Sequence, residues 1–355
     1  MYMDFNKNSN SGTNPYLQRL NSFSKDIDYM FNCVSLFSGG GGLDLGVNLA
    51  GFKSLFVSDI IKSNVETIKH NLPHVFAYTA DVQNLTAHEI LQMSHVNDVD
   101  LMVAGPPCQS FSILGQRKAL NDPRGMLTIK YFQLIAGVKP KAFIFENVPG
   151  ILTVNQGQDF NNLFEFAKNT TGYSLFKTRL NSMQFGIPQS RERVFIVGFR
   201  SDLCVDNFEF PDVPTGQYAE QLNDAMPSKY ALENVKGLAN HDIRIHGDRV
   251  RARYEKILPG ERDRTDHTDR INPEQPSGTV LVGSSAGGGR PHIHPSEPRV
   301  ITVREAARLQ SFPDWYEFLG TSTEQYRQVG NAVPPLMAYE IAMKIRKVLE
   351  KKNVS

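Results

Sequence analysis

The stretch Asn32–Gly46, which reads NCVSLFSGGGGLDLG, decides the fold class of this chain. Its first residues, Asn32–Phe37, are typical of a buried strand, and the glycines after them lead into a predicted helix, Leu43–Ala50. A strand joined to a helix by glycines begins a βαβ unit, and the missing side chains let a ligand approach the backbone. We therefore expect an α/β fold with a ligand site where the first strand ends.

The same alternation of strand and helix continues to Phe199. Helices are predicted at Ile61–Asn71, Thr86–Met93 and Gly125–Gly137. Six further strands are predicted at Lys53–Ser58, His74–Thr79, Asp100–Ala104, Lys141–Glu146, Tyr173–Asn181 and Arg193–Phe199. Such an order favours a doubly wound, mostly parallel sheet.

The chain divides into four predicted segments. Residues 1–30 are polar and are expected to form a flexible N-terminal extension, whereas 31–199 form the α/β block. Residues 200–298 are rich in Pro, Gly, Asp and Arg without clear periodicity, which predicts a second, smaller, loop-rich domain. In 299–355 helices return, with a capping box at Thr302–Glu305 opening Val303–Gln310 and a last helix from Pro335 to Glu350.

Composition restricts the class of protein. A hydrophobic content of 40% and a charged content of 21% are typical of a soluble globular protein. We expect no membrane span and no signal peptide, and the three scattered cysteines predict a reduced, cytoplasmic protein. The net charge of only +1 means that nucleic-acid binding would need a local basic face.

A cysteine follows one predicted strand through two prolines, in Gly105-Pro106-Pro107-Cys108. The prolines stiffen the chain at a strand end, where α/β folds place their chemistry. A thiolate held there can act as a nucleophile, although a lone cysteine is more often a small buried apolar residue.

Two acids outline a nucleoside site beside the glycine loop. Asp59 closes the second strand, where a carboxylate can hold ribose hydroxyls, and Asp81 follows the third strand and can accept from an adenine amino group. Each acid alone is as easily a turn or cap residue. The loop supplies no lysine for phosphates, so a nucleoside without phosphates fits best, and S-adenosylmethionine is such a cofactor.

The remaining polar signals lie after the next strands. Glu146 ends the strand that follows the one leading to Cys108, and Arg191 and Arg193 alternate, so that both are predicted on one strand face. The alternatives are a cap or core acid and a solvated edge strand. His292 and His294 have metal-like spacing, but no third ligand is near, and we predict no metal site.

These residues, taken together, resemble the DNA (cytosine-5) methyltransferases, most closely the bacterial modification enzymes. The resemblance runs from about Val34 to Ala338. Its six motifs stand in family order: the Phe37–Gly46 loop, Pro106-Pro107-Cys108-Gln109, Glu146-Asn147-Val148, Gln189-x-Arg191-x-Arg193, Arg304–Gln310 and Gly330–Pro334.

The resemblance implies the fold of S-adenosylmethionine-dependent methyltransferases, with 31–199 as the catalytic domain, 200–298 as the target-recognition domain and 299–355 completing the catalytic domain. It implies methyl transfer to C5 of a flipped cytosine in double-stranded DNA through a covalent bond from Cys108 to C6, with S-adenosylhomocysteine as product. It further implies a monomeric bacterial enzyme, associated with DNA in the cytoplasm, that protects DNA from a paired restriction endonuclease.

The resemblance also assigns roles to residues. Glu146, partly protonated by burial, would act on N3 of the base, Arg193 would contact O2, and Arg191 would fix the pocket. The cofactor-binding residues would be Phe37, Ser38, Gly39, Gly41, Gly42, Leu43, Asp59, Ile60, Asp81, Val82, Pro107, Asn331 and Ala332. The resemblance makes Ser110–Arg124 a lid over bound DNA, with Ser110, Gln116 and Arg117 contacting DNA.

Apart from the resemblance, Arg290 on its glycine loop is a candidate guanine contact, although a flexible turn is an equal alternative. Clustered arginines are candidate phosphate contacts, with a solvated charged surface as the alternative: Arg244, Arg249, Arg251 and Arg253.

Other functions explain less. The same chemistry on transfer RNA would not require the long 200–298 region, and a catalytically inactive DNA-binding protein would not require Cys108, Glu146 and both arginines. A dinucleotide-dependent dehydrogenase leaves the Pro-Pro-Cys sequence unexplained.

Overall fold

The computed structural model describes residues 14–24, 26–107, 125–212, 226–281 and 291–353. The described strands form one seven-stranded sheet in the order β3-β2-β1-β4-β5-β7-β6. Their bounds are β1 (Phe31–Leu36), β2 (Phe52–Asp59), β3 (Phe76–Thr79), β4 (Leu101–Ala104), β5 (Ala142–Asn147), β6 (Ser174–Asn181) and β7 (Glu192–Phe199). β1 to β5 pair in parallel, and β7 pairs antiparallel with both β5 and β6, so the predicted doubly wound, mostly parallel sheet is confirmed.

The helices of the described residues follow the chain from α1 to α11. Their bounds are α1 (Pro15–Asn21), α2 (Gly42–Leu49), α3 (Lys62–Asn71), α4 (Ala87–Ser94), α5 (Gly125–Val138), α6 (Gln158–Thr171), α7 (Lys229–Leu232), α8 (Asp248–Glu255), α9 (Val303–Leu309), α10 (Ser322–Asn331) and α11 (Pro335–Asn353).

Strand order reverses between β1 and β4, which are neighbours although β2 and β3 separate them in the sequence. Ligands of open α/β sheets bind at such a switch point, beyond the carboxyl ends of the strands. The glycine loop follows β1, and Gly105 and Pro106 follow β4. Strand topology therefore brings the predicted cofactor loop and the chain leading to Cys108 to the same edge of the sheet.

Apolar side chains on the strands form the core that holds this edge in place. Phe143 and Phe145 of β5 are fully buried, as are Tyr131 and Phe132 of α5. The Tyr131 hydroxyl donates to the carbonyls of Met102 at 3.1 Å and Ile144 at 2.8 Å. This buried tyrosine thus links β4 to β5 just before both strands reach the site.

The chain forms two compact units. One unit contains 27–181, 192–211 and 338–355, and the other contains 1–26, 182–191 and 212–337. We call the first the sheet unit and the second the recognition unit, after the target-recognition domain predicted for most of it. The predicted segments 31–199, 200–298 and 299–355 are defined by their expected roles, whereas the two units are defined by contacts between residues. By contacts, 182–191 and 299–337 belong to the same unit as most of the predicted target-recognition domain.

The expectation of a flexible extension through residue 30 is wrong for 14–24. Asn14 Oδ1 accepts from the Leu17 amide at 3.0 Å and Pro15 opens α1, in which Tyr16 and Leu20 are buried. The Tyr16 hydroxyl donates to the Arg308 carbonyl. Two large apolar side chains four residues apart suffice to dock a short helix, and composition alone concealed them.

Buried charges organise the recognition unit. Arg299 makes two hydrogen bonds of 2.8 Å to the carboxylate of Glu305, which also accepts from the Thr302 amide at 2.7 Å. The predicted capping box at Thr302 is therefore confirmed, and its acid is fully buried. Arg308 pairs with Asp314 at 2.7 and 2.8 Å. The Arg304–Gln310 motif thus builds the unit's frame.

The described residues contain neither a membrane-spanning helix nor a cluster of metal-ligating side chains. In that part of the chain no helix combines the length and apolar character needed to cross a membrane. Nor does it contain a cluster of three or more His, Cys, Asp or Glu side chains suited to a metal ion. His292 instead contacts the Gly278 carbonyl at 3.2 Å, and His294 lies 3.7 Å from Glu305.

Candidate active site

The glycine loop turns sharply between β1 and α2. Phe37, Gly39 and Gly41 all have positive φ, at 55°, 54° and 79°. The Ser38 amide donates to the Ser58 carbonyl at 3.2 Å, and the Gly41 amide donates to the Ser38 carbonyl at 2.9 Å. Glycine is required for this path at two positions, and the loop leads directly into the amino end of α2, where backbone amides favour a ligand.

Asp59 ties this loop to the end of β2. Its Oδ2 accepts from the Gly39 amide at 2.8 Å, and its Oδ1 accepts from the Ile61 amide at 2.8 Å and from Asn64 Nδ2 at 2.9 Å. The carboxylate is 8% exposed. Asp59 therefore has a structural task in ordering the loop, and Oδ2 keeps a lone pair for a ribose hydroxyl.

The other predicted cofactor residues surround these two elements. Ile60, next to Asp59, is 66% exposed, which leaves an apolar side chain available to cover a planar base. Asp81 Oδ1 accepts from the Gln83 amide at 2.9 Å and caps a one-turn 3-10 helix, while Val82 is buried. Asp81 is thus a cap residue in this structure, and its contact with an adenine stays a prediction.

This arrangement fits S-adenosylmethionine. A Cβ placed on Gly39 would meet nothing within 4 Å, so there is open space directly over the loop. Backbone amides, one acid at the ribose position and an exposed apolar side chain suit a nucleoside. No lysine or arginine occurs among Phe37–Gly46 to balance phosphate charge.

A buried acid that sequence analysis did not assign lies below the loop. Asp44 on α2 is fully buried, and burial raises the pKa of its carboxyl to about 6 although the hydroxyls of Ser35 and Ser38 lower it in part. Asp44 is part of the glycine-rich stretch Asn32–Gly46, so the sequence shows an acid there. The sequence does not show that this acid is buried, because its burial results from the packing of α2 on the sheet.

Asn147 connects the ends of β4 and β5. Its Nδ2 donates to the Pro106 carbonyl at 3.2 Å, and its Oδ1 accepts from the Val148 amide at 2.9 Å. Asn147 is 2% exposed, so these contacts are shielded from water. The side chain holds the backbone two residues before Cys108, which itself lies outside the described residues. Sequence analysis quoted Asn147 within a motif but gave it no role.

Glu146 and Arg193 form an ion pair at the same edge. Arg193 Nε lies 2.8 Å from Glu146 Oε1, and each side chain is 10% exposed. A Cβ on Gly105 would lie 2.8 Å from Glu146 Oε2, so the glycine makes room for this carboxylate. The partial protonation expected of Glu146 stays a prediction.

Comparison with known proteins is decisive at this point. The family model described as C-5 cytosine-specific DNA methylase matches residues 31–347. The chain belongs to this family. It is therefore a DNA (cytosine-5) methyltransferase.

Individual relatives agree with this assignment. The methylase is 34% identical to the type II methyltransferase M.FnuDI of Fusobacterium nucleatum, over 90% of this chain and 95% of that protein. It is 32% identical to the type II methyltransferase M.XorII of Xanthomonas oryzae, over 90% of this chain and 85% of that protein.

Solved structures show the same fold. A protein described as a DNA modification methyltransferase encoded within a prophage (E. coli) matches with a TM-score of 0.73 and 26% identity, covering 90% of this chain and 100% of that one. Dnmt2 of S. pombe matches with a TM-score of 0.61 and 20% identity, covering 91% and 99%, and shows the fold alone.

In this methylase Arg191 lies one residue before β7 and Arg193 lies within it, and a common strand face for the two arginines stays a prediction. β7 begins at Glu192, and Arg191 belongs to the recognition unit, where its Nη2 donates to the Gly330 carbonyl at 2.8 Å. The Ser190 amide donates to the Ser277 carbonyl at 2.7 Å. The Ser182 amide donates to the Arg191 carbonyl at 2.9 Å, so the backbone of Arg191 still pairs with the residue that follows β6. Arg193 contacts Glu146, whereas the Arg191 guanidinium contacts Gly330.

Asn331 and Ala332 lie where α10 ends. Asn331 is the last residue of the helix and is exposed, and Ala332 is its buried C-cap residue. Their part in holding the methylase's cofactor stays a prediction, as does that of Pro107, which is exposed three residues after the buried strand β4.

Of the predicted DNA-contacting residues, the structure describes the clustered arginines, among them Arg251. It is exposed on α8 and makes no ion pair with the described residues, whereas Arg253 of the same helix contacts Asp263 at 3.2 Å and Asp266 at 2.6 Å. Arg251 is available for a phosphate, and Arg253 is engaged within the unit. The others, Ser110, Gln116, Arg117 and Arg290, lie outside the described residues, as does the predicted lid.

Proposed function

We propose that this methylase transfers the methyl group of S-adenosylmethionine to C5 of one cytosine within a specific sequence of double-stranded DNA. In this proposal the cytosine is flipped out of the helix and bonded at C6 to Cys108, and the modification protects bacterial DNA in the cytoplasm from a paired restriction endonuclease. The pairing rests on the relatives, which are named type II methyltransferases. We further propose that the enzyme acts as a monomer.

The observation that carries the proposal is the Glu146–Arg193 pair at the strand end next to the one that leads to Cys108. C5 of cytosine is a weak nucleophile within an aromatic ring. Addition of the Cys108 thiolate to C6 removes the aromaticity and makes C5 an enamine-like carbon. The negative charge that develops on the ring then needs an acid at N3 and a donor at O2.

The chain supplies both groups from neighbouring strands. Glu146 faces N3, where it shares or transfers a proton, and Arg193 stabilises the carboxylate and donates to O2. Asn147 holds the Pro106 carbonyl and thereby limits the movement of the segment that ends at Cys108. These groups lie on rigid strand ends, so little reorganisation is needed when the base enters.

The cofactor would rest against the glycine loop, with Asp59 at the ribose and Ile60 beside the base. S-adenosylmethionine, when bound there, supplies an electrophilic methyl group. Loss of the C5 proton to a base and departure of the Cys108 thiolate then restore the aromatic ring, which balances the reaction.

DNA must be held and its target base extruded, because ring atoms are unreachable inside a stacked duplex. The recognition unit offers exposed Arg251 and neighbouring Arg249 for phosphates, and neither makes an ion pair with a described residue. Phosphate contacts fix position without reading sequence. Reading of base edges is assigned to residues 200–298, with Arg290 as the predicted guanine contact.

The test follows 5-methylcytosine formation in plasmid DNA by bisulfite sequencing from cells expressing the wild-type chain or Cys108→Ser. Modification of one cytosine within one recurring sequence supports the proposal, and the serine variant should modify none because a neutral hydroxyl is a poor nucleophile. Purified enzyme should also form a complex stable to denaturation with duplex DNA carrying 5-fluorocytosine at the target. Methyl uptake on transfer RNA but not on duplex DNA would overturn the substrate assignment.

A further inference from the structure

We infer that Gln189 is a positioning residue that couples the proposed reader of DNA sequence to Arg191 in the proposed reaction. The inference rests on the proposed function, since it concerns how this enzyme discriminates between DNA sequences. It is carried by a set of buried amide hydrogen bonds inside the recognition unit, all between described residues.

Gln189 connects two parts of that unit through its own side chain. Its Oε1 accepts from the Val280 amide at 2.8 Å, and its Nε2 donates to the Leu309 carbonyl at 3.1 Å and to Gln310 Oε1 at 3.0 Å. Gln189 and Gln310 are fully buried and Val280 is 1% exposed. Gln189 thus makes three hydrogen bonds without solvent competition, to partners that lie far from it in the sequence.

The segment on one side of Gln189 belongs to the proposed reader of DNA sequence. The Ser190 amide donates to the Ser277 carbonyl at 2.7 Å, and the Ser277 amide donates to the Pro188 carbonyl at 3.0 Å. The Thr279 hydroxyl donates to the Ser190 carbonyl at 2.9 Å. With the Gln189 contact to Val280, the short stretch 277–280 is held along its length by 188–190.

The segment on the other side leads to Arg191 and to Gly330. Arg191 Nη2 donates to the Gly330 carbonyl at 2.8 Å, and Gln310 Nε2 donates to the Val329 carbonyl at 2.7 Å. The two routes from Gln189, through its backbone and through Gln310, therefore end at adjacent residues of α10. Asn331, a predicted cofactor residue, follows directly.

Gln189 is suited to this role because of its carboxamide group. One end accepts and the other donates, so a single side chain satisfies an amide on the reader side and two oxygens on the frame side. A displacement of 277–280 cannot leave Gln189 and Gln310 unmoved without exposing buried polar atoms, which is costly. We therefore expect the way in which a DNA sequence binds to the reader to change the position of Arg191 through these hydrogen bonds.

The main test compares Gln189→Met with the matched control Gln328→Met. Gln328 is also a buried amide of the recognition unit, at 2% exposed, but its Nε2 contacts only the nearby Leu319 carbonyl at 2.9 Å. Steady-state rates are measured on the cognate sequence, which the enzyme methylates, and on altered sequences that differ from it by one base pair. For Gln189→Met we expect kcat/KM to fall ten- to a hundredfold on the cognate sequence and much less on the altered ones.

The ratio of kcat/KM on the cognate sequence to kcat/KM on the altered sequences should therefore fall about tenfold or more in Gln189→Met. In Gln328→Met this ratio should stay within twofold of wild type, even if both variants lose similar thermal stability. The loss in Gln189→Met should appear mainly in kcat, since Arg251 and its neighbours still hold the phosphates. Equal proportional losses on all sequences, or the same ratio change in the control, would overturn the inference.

A second measurement needs no catalysis and covers a methionine variant that folds poorly. Gln189→Glu keeps an acceptor for the Val280 amide but places an oxygen against the oxygens of Leu309 and Gln310. It therefore removes the hydrogen bonds to Leu309 and Gln310 and leaves the one from Val280 in place. Hydrogen exchange at the Val280 amide should accelerate at least tenfold in Gln189→Met and little in Gln189→Glu. Unchanged exchange in both variants would contradict the positioning role. If the wild-type chain modifies no DNA, the proposed function fails, whereas the exchange result still decides whether Gln189 holds the segment.

Discussion

Arg193 Nε lies 2.8 Å from Glu146 Oε1, which joins the last part of β5 to the beginning of its antiparallel neighbour β7. The two side chains come from strands that run in opposite directions, so a carboxylate at one strand end meets a guanidinium at another strand's start. An otherwise parallel sheet thereby gains an acid and a cation at its catalytic edge.

Glu146→Gln should abolish most of the activity while preserving the fold. The amide fills the same volume beside Arg193 but offers no titratable proton for N3, and loss of a general acid costs about 10²–10⁴-fold in rate. Stability should fall by about 2 kcal/mol, as a charge-assisted hydrogen bond becomes a neutral one. Single-turnover methyl transfer and thermal unfolding measure both effects. A kcat within twofold of wild type would remove Glu146 from the chemistry.

Gly105→Ala should act through the same carboxylate. Its Cβ would lie 2.8 Å from Glu146 Oε2 and would displace the acid from Arg193. We expect a fall in kcat of at least tenfold with little change in cofactor affinity. Gly150→Ala is the control, because a Cβ there meets nothing within 4 Å. Equal activities of the two alanine variants would show that the space at Gly105 is not needed.

Asp59→Ala should weaken cofactor binding through the loop as well as through the ribose. It removes the acceptor for the Gly39 amide, so a charge-assisted hydrogen bond worth about 1.5–3 kcal/mol is lost. Calorimetry should show a Kd for S-adenosylmethionine raised about ten- to a hundredfold, with DNA affinity nearly unchanged. An unaltered Kd would exclude Asp59 from the cofactor site.

Arg251→Ala and Arg253→Ala should separate DNA contact from structure. Arg251 is exposed on α8, so its loss should weaken binding to all sequences alike and lower the salt dependence by about one phosphate contact. Arg253 contacts two acids, so its loss should lower thermal stability instead. Fluorescence titration at several salt concentrations distinguishes them. An Arg251→Ala slope equal to that of wild type would argue against a phosphate contact.

Asp44→Asn should change the pH dependence of stability. In the folded chain burial raises the pKa of Asp44 to about 6 from 3.8, so the folded state keeps a proton that the unfolded state releases. Its contribution is fully present below pH 4 and is lost as the pH rises through 6. Relative to wild type, the asparagine variant should therefore gain up to about 3 kcal/mol between these values. Urea unfolding of both proteins at pH 4 and pH 7 tests this expectation. If the difference in unfolding free energy between variant and wild type were the same at both pH values, the expectation would be wrong.

Local sequence patterns predicted the sheet because apolar runs bounded by glycine, proline and charge are a local signal. β4 and β5 begin within one residue of their predicted positions. α10 was missed although Thr321 and Glu324 form a capping box at its start, a signal that could have been used. α6 begins after Gly157 without a side-chain cap, so its start carried no such signal.

The site was predictable as a set of residue types and much less as a set of contacts. Glu146 and Arg193 were both named, but their pairing depends on the antiparallel register of β5 and β7. The position of Arg191 depends on its own hydrogen bond to Gly330 and on that of its neighbour Ser190 to Ser277, and these partners are distant in sequence and leave no periodic pattern. Asp59 was assigned to a ligand, and its bond to the Gly39 amide became visible only in three dimensions.

The recognition unit is assembled from separate stretches of the chain, and this bears on how such an enzyme acquires a new target sequence. An exchange of 200–298 between two genes would separate Gln189 from the Val280 of the same parent protein. It would also separate Glu297 from the Arg299 of the same parent, whose Nε donates to Glu297 at 2.8 Å. Crossovers at those boundaries would yield hybrids with mismatched buried polar groups. Inheritance of specificity in this lineage should therefore proceed by substitutions at exposed positions, or by recombination events that move 182–191 and 212–337 together.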